Sequence, residues 1–202
     1  MRGGARLWLL GCALVTGGVL AGSLAGASLA APPRPDRAPP EGEIRVLNAE
    51  TYRVGEVYHL NAAIRYRLSR QALEALANGL PLVFEVTAEV VRPRPYLWDE
   101  TVATVRQRYR LLYRALTDRY AVTHLNTGVE TRYPSLEMAL AALGRVVGVP
   151  LLDAGLLRPG EGYRVRLQAR LDVESLPVPL RVLGYFSAGW RLVSPWRTWP
   201  LR

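Results

Sequence analysis

Apolar and polar residues alternate along most of this chain, and a period of two marks strands with one face buried and one face in water. Tyr58, Leu60, Ala62, Ile64, Tyr66 and Leu68 share one face, opposite His59, Asn61, Arg65 and Arg67. Leu82, Phe84, Val86, Ala88 and Val90 repeat the pattern against Glu85, Thr87 and Glu89. Ala103, Val105, Tyr109, Leu111 and Tyr113 stand against Arg106, Arg108 and Arg110. The clearest run sets Tyr163, Val165, Leu167, Ala169, Leu171 and Val173 against Arg164, Arg166, Gln168, Arg170 and Asp172. Shorter strands are predicted near 44–52, 119–126 and 180–186.

Two short helices interrupt the alternation. Ser69 is suited to cap the first, because its hydroxyl accepts a free backbone N–H. Leu68 and Leu73 occupy hydrophobic-staple positions, Asn78-Gly79 ends the helix, and Pro81 blocks its continuation. The second starts at Ser135 and carries Leu136, Leu140, Leu143 and Val147 as one apolar stripe, with Gly148 and Pro150 predicted to end it. Many half-buried strands and few helices predict a mainly β protein. The expected form is an antiparallel β-sandwich, immunoglobulin-like, with two short helices. The alternative is an α+β fold with both helices on one face of an antiparallel sheet.

The first 31 residues break the pattern. Arg2 and Arg6 precede Leu7–Ala31, a stretch without Asp, Glu, Lys or Arg. A basic start, an apolar centre and small residues at Ala25-Gly26-Ala27 and Ser28-Leu29-Ala30 make a secretory signal. The stretch is also long enough to stay as an anchor. Either way the basic end stays inside and the body lies outside. Leu9-Leu10-Gly11-Cys12 resembles a lipobox, but the apolar run continues well beyond Cys12. Residues 1–31 are therefore expected to be a signal peptide or N-terminal membrane anchor, 32–42 a Pro-rich linker, and 43–202 one β-rich domain. An exported, periplasmic protein follows, soluble after cleavage or held at the inner membrane.

Composition sharpens this picture. The chain has 202 residues, formal net charge +9, and all 26 of its basic residues are Arg. Absence of Lys alongside abundant Ala, Gly, Pro and Leu reads as the codon bias of a GC-rich genome. Beyond the inner membrane, a basic protein meets anionic lipid, lipopolysaccharide or acidic protein faces rather than nucleic acid. Cys12 is the only cysteine, which leaves no intramolecular disulfide or thiol site. With only His59 and His124, a multi-His metal site is not expected. Neither histidine lies in a hydrolase or metalloprotease motif. No catalytic, cofactor or metal residues are assigned.

Two binding candidates stand out. Arg92, Arg94, Tyr96, Trp98 and Asp99 lie in a segment whose Pro93 and Pro95 oppose regular pairing. It reads as a strand running into a loop that presents arginines and aromatics together, a composition typical of protein interfaces. Arg106, Arg108 and Arg110, with Arg164, Arg166 and Arg170, would form an anion-binding surface if their strands adjoin. The plainer reading is a solvated face balanced by Glu85, Glu89 and Asp172. Asp172–Pro179 reads as a rigid turn, its Asp capping a helix or pairing with Arg. Trp190, Trp196 and Trp199 either plug one end of the sandwich or anchor at a membrane interface.

Leu68-Ser69, Glu74-Ala75-Leu76, Gly79-Leu80-Pro81-Leu82, Arg92-Pro93-Arg94, Trp98-Asp99, Arg108-Tyr109-Arg110-Leu111, Tyr113, Ala115-Leu116-Thr117, Tyr120, Arg170-Leu171-Asp172-Val173, Leu176-Pro177, Pro179, Trp190, Ser194, Trp196 and Trp199 follow one another in a distinctive order. Taken together, they resemble an exported proteobacterial family, domain of unknown function family 4390. Pro95 and Leu97 stand where the family tends to carry aromatic residues, and Val178 where it tends to carry Lys. The resemblance implies an envelope location. It also implies envelope signalling, because genes of the family often lie beside one for a nitrogen-regulation-type sensor kinase. It implies no catalytic residues. The expected function is a non-enzymatic envelope protein that binds another protein, with a sensor kinase as candidate partner. The alternative is a binder of anionic lipid or lipopolysaccharide through the Arg-rich faces.

Overall fold

The computed structural model describes residues 42–176 and 188–202. The expected signal or anchor, nearly all of the linker and the strand near 180–186 lie outside the described residues, as do Pro177, Val178 and Pro179. Among the described residues, nine strands and two α-helices follow the order β1 (Glu43–Val54), β2 (Val57–Arg67), α1 (Arg70–Ala77), β3 (Leu82–Arg92), β4 (Glu100–Arg114), β5 (Arg119–His124), β6 (Glu130–Tyr133), α2 (Leu136–Leu143), β7 (Arg145–Asp153), β8 (Arg164–Leu171) and β9 (Arg197–Pro200). They form two antiparallel sheets. One has the order β1-β2-β7, the other β6-β5-β4-β3-β8-β9. The protein is thus mainly β with two helices, and the two-sheet expectation holds.

The alternating runs explain the layers. Ile44, Val46, Leu60, Ile64 and Tyr66 from the small sheet meet Phe84, Val86, Val90, Val165 and Leu167 from the large one in a single core. The Tyr66 and Phe84 rings touch edge to face, 5.1 Å apart. Burial pushes the Tyr66 hydroxyl pKa far upward, and the hydroxyl lacks a hydrogen-bond partner. Leu73, by contrast, is exposed beyond the buried Leu68.

Both helices are crossovers between sheets. α1 carries the chain from β2 to β3, and α2 carries it from β6 back to β7. Ser69 caps α1 by accepting from the Ala72 N–H at 3.2 Å, and Ser135 caps α2 through the Met138 N–H. The second helix is shorter than the sequence stripe predicts. It ends at Gly144, and Val147 lies on β7, not on the helix. β7 tolerates Gly148 and Pro150 because among the described residues it is an edge strand, where a missing N–H on the open side breaks no ladder. Gly148 takes φ +63 at a register shift, and its N–H donates to Asn61 Oδ1 at 3.0 Å.

The strand directions define two ends. Gly42 packs against Ser69 at the finish of β2, and Tyr66 reaches Phe84 near the start of β3. At the opposite end lie the β1–β2 turn and the β3–β4 loop, where Trp199 Nε1 reaches Thr51 Oγ1 at 3.3 Å.

Candidate functional site

β3 and β4 pair without a break from Leu82↔Leu111 to Val90↔Ala103, then shift register and close with Arg92↔Glu100. That closing pair anchors the loop between them. Arg92 is 14% exposed and donates to Glu100 and, at 2.6 Å, to Glu161. Arg94 pairs with Glu100 as well. Hydrogen bonds from Arg94 and then Arg92 hold the Glu100 carboxyl below its usual range. The bond from Arg92 lowers Glu161 in the same way, and these carboxylates raise Arg92.

The loop then turns over. Leu97 N–H reaches back to Arg94 O at 3.5 Å, with Pro95 second and Tyr96 third in the turn. Tyr96 has φ 67. Proline followed by a left-handed residue is the signature of a type II turn, whose third position usually takes Gly. A tyrosine in that conformation is strained by about 1–2 kcal/mol. The result is a tip of three apolar side chains in water. Tyr96 is 103% exposed, Trp98 87% and Leu97 61%. Asp99 is exposed beside them.

The five loop residues predicted from sequence therefore divide. Arg92 and Arg94 fasten the base, whereas Tyr96, Trp98 and Asp99 are presented. Neither Tyr96 nor Trp98 folds back over the core; both side chains stand in solvent. Sequence reasoning missed Leu97 as the third member of the tip, and Glu100 and Glu161 as the clamp. Counting outward from the Arg94–Leu97 turn sets Asp99 opposite Arg92, so the Arg92↔Glu100 pairing depends on one extra residue on the β4 side of the loop. Glu161 comes from the distant β7–β8 connection, so nothing local could indicate it.

The two arginine rows do share one surface. β4 and β8 flank β3, so Arg106, Arg108 and Arg110 face the same side as Arg164, Arg166 and Arg170. Carboxylates run between them. Glu85 accepts from Arg170 at 2.9 Å and lies 4.0 Å from Arg108. Arg108 donates to Asp172 at 2.8 Å, and Arg166 to Glu89 at 2.5 Å. Arg166 also covers the Trp196 ring at 5.1 Å. Asp172 both caps the turn at Glu174 and pairs with Arg108, as its sequence context predicted. Burial works to raise the Asp172 pKa, but hydrogen bonds from Ser175 and Arg108 prevail and lower it. Among the described residues, Arg106, Arg110 and Arg164 are exposed without a carboxylate partner.

The tryptophans separate too. Trp190 is buried, Trp199 packs on the core and Trp196 lies on the outer face, 42% exposed. His124 is held by Gln107 at 2.6 Å and Thr127 at 2.8 Å, and burial lowers its pKa. Among the described residues no group of three or more His, Cys, Asp or Glu is placed to hold a metal ion, and no helix is long and apolar enough to cross a membrane.

A family model described as Domain of unknown function (DUF4390) matches residues 41–200, from the start of β1 to the end of β9. No curated protein and no solved structure matches the chain.

Proposed function

This chain belongs to the DUF4390 family, and on that premise we propose that it is a non-enzymatic cell-envelope protein that works by binding another protein through the 92–99 loop. The observation that carries the reading is the tip of Tyr96, Leu97 and Trp98, exposed together on a loop fastened by Arg92, Arg94, Glu100 and Glu161. Exposed aromatics on a preorganised support are the usual centre of a binding hot spot. The envelope location rests on the basic, apolar and small-residue order of residues 1–31. A sensor kinase is the partner class that the family resemblance implies.

The test places a photoreactive residue at Leu97 in intact native cells, with a control at the exposed Thr104. An adduct with one envelope protein at position 97, absent at 104 and lost in Tyr96→Ser/Trp98→Ser, is the expected result. Equal labelling at both positions removes the loop from the account.

The alternative, capture of lipid or lipopolysaccharide by the strand arginines, is weakened by Glu85, Glu89 and Asp172 on that same face. Only Arg106, Arg110 and Arg164 of the six stand there without a carboxylate partner among the described residues.

A further inference from the structure

Helix α2 reads Leu-Glu-Met-Ala-Leu-Ala-Ala-Leu, yet of these residues only Ala139 and Leu143 are buried. Leu136 and Leu140 also pack against the core, so the outer side of the helix presents Glu137, Met138 and Ala141 to solvent. Met138 is 52% exposed, and beside the helix Leu47 on β1 is 42% and Val147 on β7 66% exposed. Shallow clefts flank Ala141, one lined by Leu47, Arg65 and the exposed Glu137, the other by Met138, Arg145 and Val147.

The adjoining outer side of the small sheet is cationic. Register sets Arg65 directly opposite Arg45, and places Arg145 opposite Ala63, two positions along β2. Like charges across a strand pair are unfavourable by themselves. Glu43 neutralises Arg45 at 2.6 Å. Arg65, Arg67 and Arg145 are exposed, and among the described residues none has a carboxylate partner.

This surface occupies the half of the molecule where the chain enters. Leu47 is five residues beyond Gly42, and the Ile64 N–H donates to Gly144 O at the end of α2. Leu116, 102% exposed, tips the β4–β5 turn at the same end. Ahead of Gly42 the sequence carries the apolar run Leu7–Ala31 and a Pro-rich spacer, which extended would reach roughly 35 Å.

We propose that the face formed by α2, Leu47 and Val147, with Arg65, Arg67 and Arg145 beside it, docks on an anionic bilayer surface. Met138 and its apolar neighbours enter the head-group layer, and the arginines meet lipid phosphates. The Tyr96–Trp98 tip lies at the opposite end of the strands and takes no part in this contact. The docking does not depend on the protein-binding reading, because no residue is shared between the two surfaces.

The test uses the full chain carrying Cys12→Ser and a nitroxide at Ala141→Cys or at Asp99→Cys, in phosphatidylcholine vesicles with or without phosphatidylglycerol. With phosphatidylglycerol, the label at 141 is expected to lose severalfold of its accessibility to a water-soluble nickel chelate, while the label at 99 keeps its own. High salt or the triple variant Arg65→Gln/Arg67→Gln/Arg145→Gln should restore the 141 value. A label at 141 that stays as accessible as that at 99 overturns the proposal. So does shielding that persists in both high salt and the triple variant. A loss at 99 that salt and the triple variant leave unchanged would assign the bilayer contact to the loop and also count against protein binding there.

Discussion

Glu100, Glu161 and Asp172 are each held below the ordinary carboxylate range by arginine and hydroxyl donors in the folded chain. Their ionised forms therefore favour folding. That contribution is complete above the unfolded pKa, about 4 for such groups, and is lost as pH falls through the lower folded values. Urea midpoints should fall between pH 5 and about 3, and Arg92→Gln/Arg108→Gln should flatten that fall by removing the donors. An unchanged slope in the double variant would separate these pairs from acid stability. Glu85 is buried between half-exposed arginines. Glu85→Ala should cost about 1 kcal/mol, modest because both partners stay hydrated. Side-chain identities named Arg92 and Arg94 as notable, but their role depended on which carboxylates the fold brought to them.

At the level of elements, the α2–β7 junction is the most constrained. A Cβ added at Gly144 would lie 2.0 Å from the Ile64 carbonyl oxygen, and backbone cannot yield as a side chain does. Gly144→Ala should cost about 3 kcal/mol, whereas Ser69→Ala, which removes only a cap, should cost about 1 kcal/mol. Equal urea midpoints for the two variants would contradict the close approach. The helix caps at Ser69 and Ser135 and the four long alternating runs were legible because both signals are local. β7 was not. Gly148 and Pro150 are read as breakers in isolation, and only an edge position with Asn61 satisfying the bulge makes them acceptable. The short strands β6 and β9 also escaped. Each is four residues long, too short for a period to register, and exists through pairing with β5 and β8.

Across the whole molecule, the two sheets are held by one core and the two ends do different work. Phe84 is fully buried against Tyr66 of the opposite sheet, so Phe84→Ala should cost about 3–5 kcal/mol. Trp98→Ala should change stability by no more than about 0.5 kcal/mol, because the ring packs on nothing. A Trp98→Ala variant as unstable as Phe84→Ala, judged by urea midpoints, would mean the tip belongs to the core and is not a presented surface.

The sequence by itself determined the mainly β class, the inward faces of the principal strands and the helix starts, because burial periodicity and capping act between near neighbours. It also pointed to the family, through motifs spread from Leu68 to Trp199. Tertiary structure alone decided that β4 and β8 flank β3, so that carboxylates interleave the arginine rows. It alone fastened Arg92 to Glu161 across 69 residues of chain and left the Tyr96–Trp98 tip and the α2 face at opposite ends. Those outcomes depend on strand order and sheet packing, which are set by contacts between residues far apart in the chain, where no local period can reach.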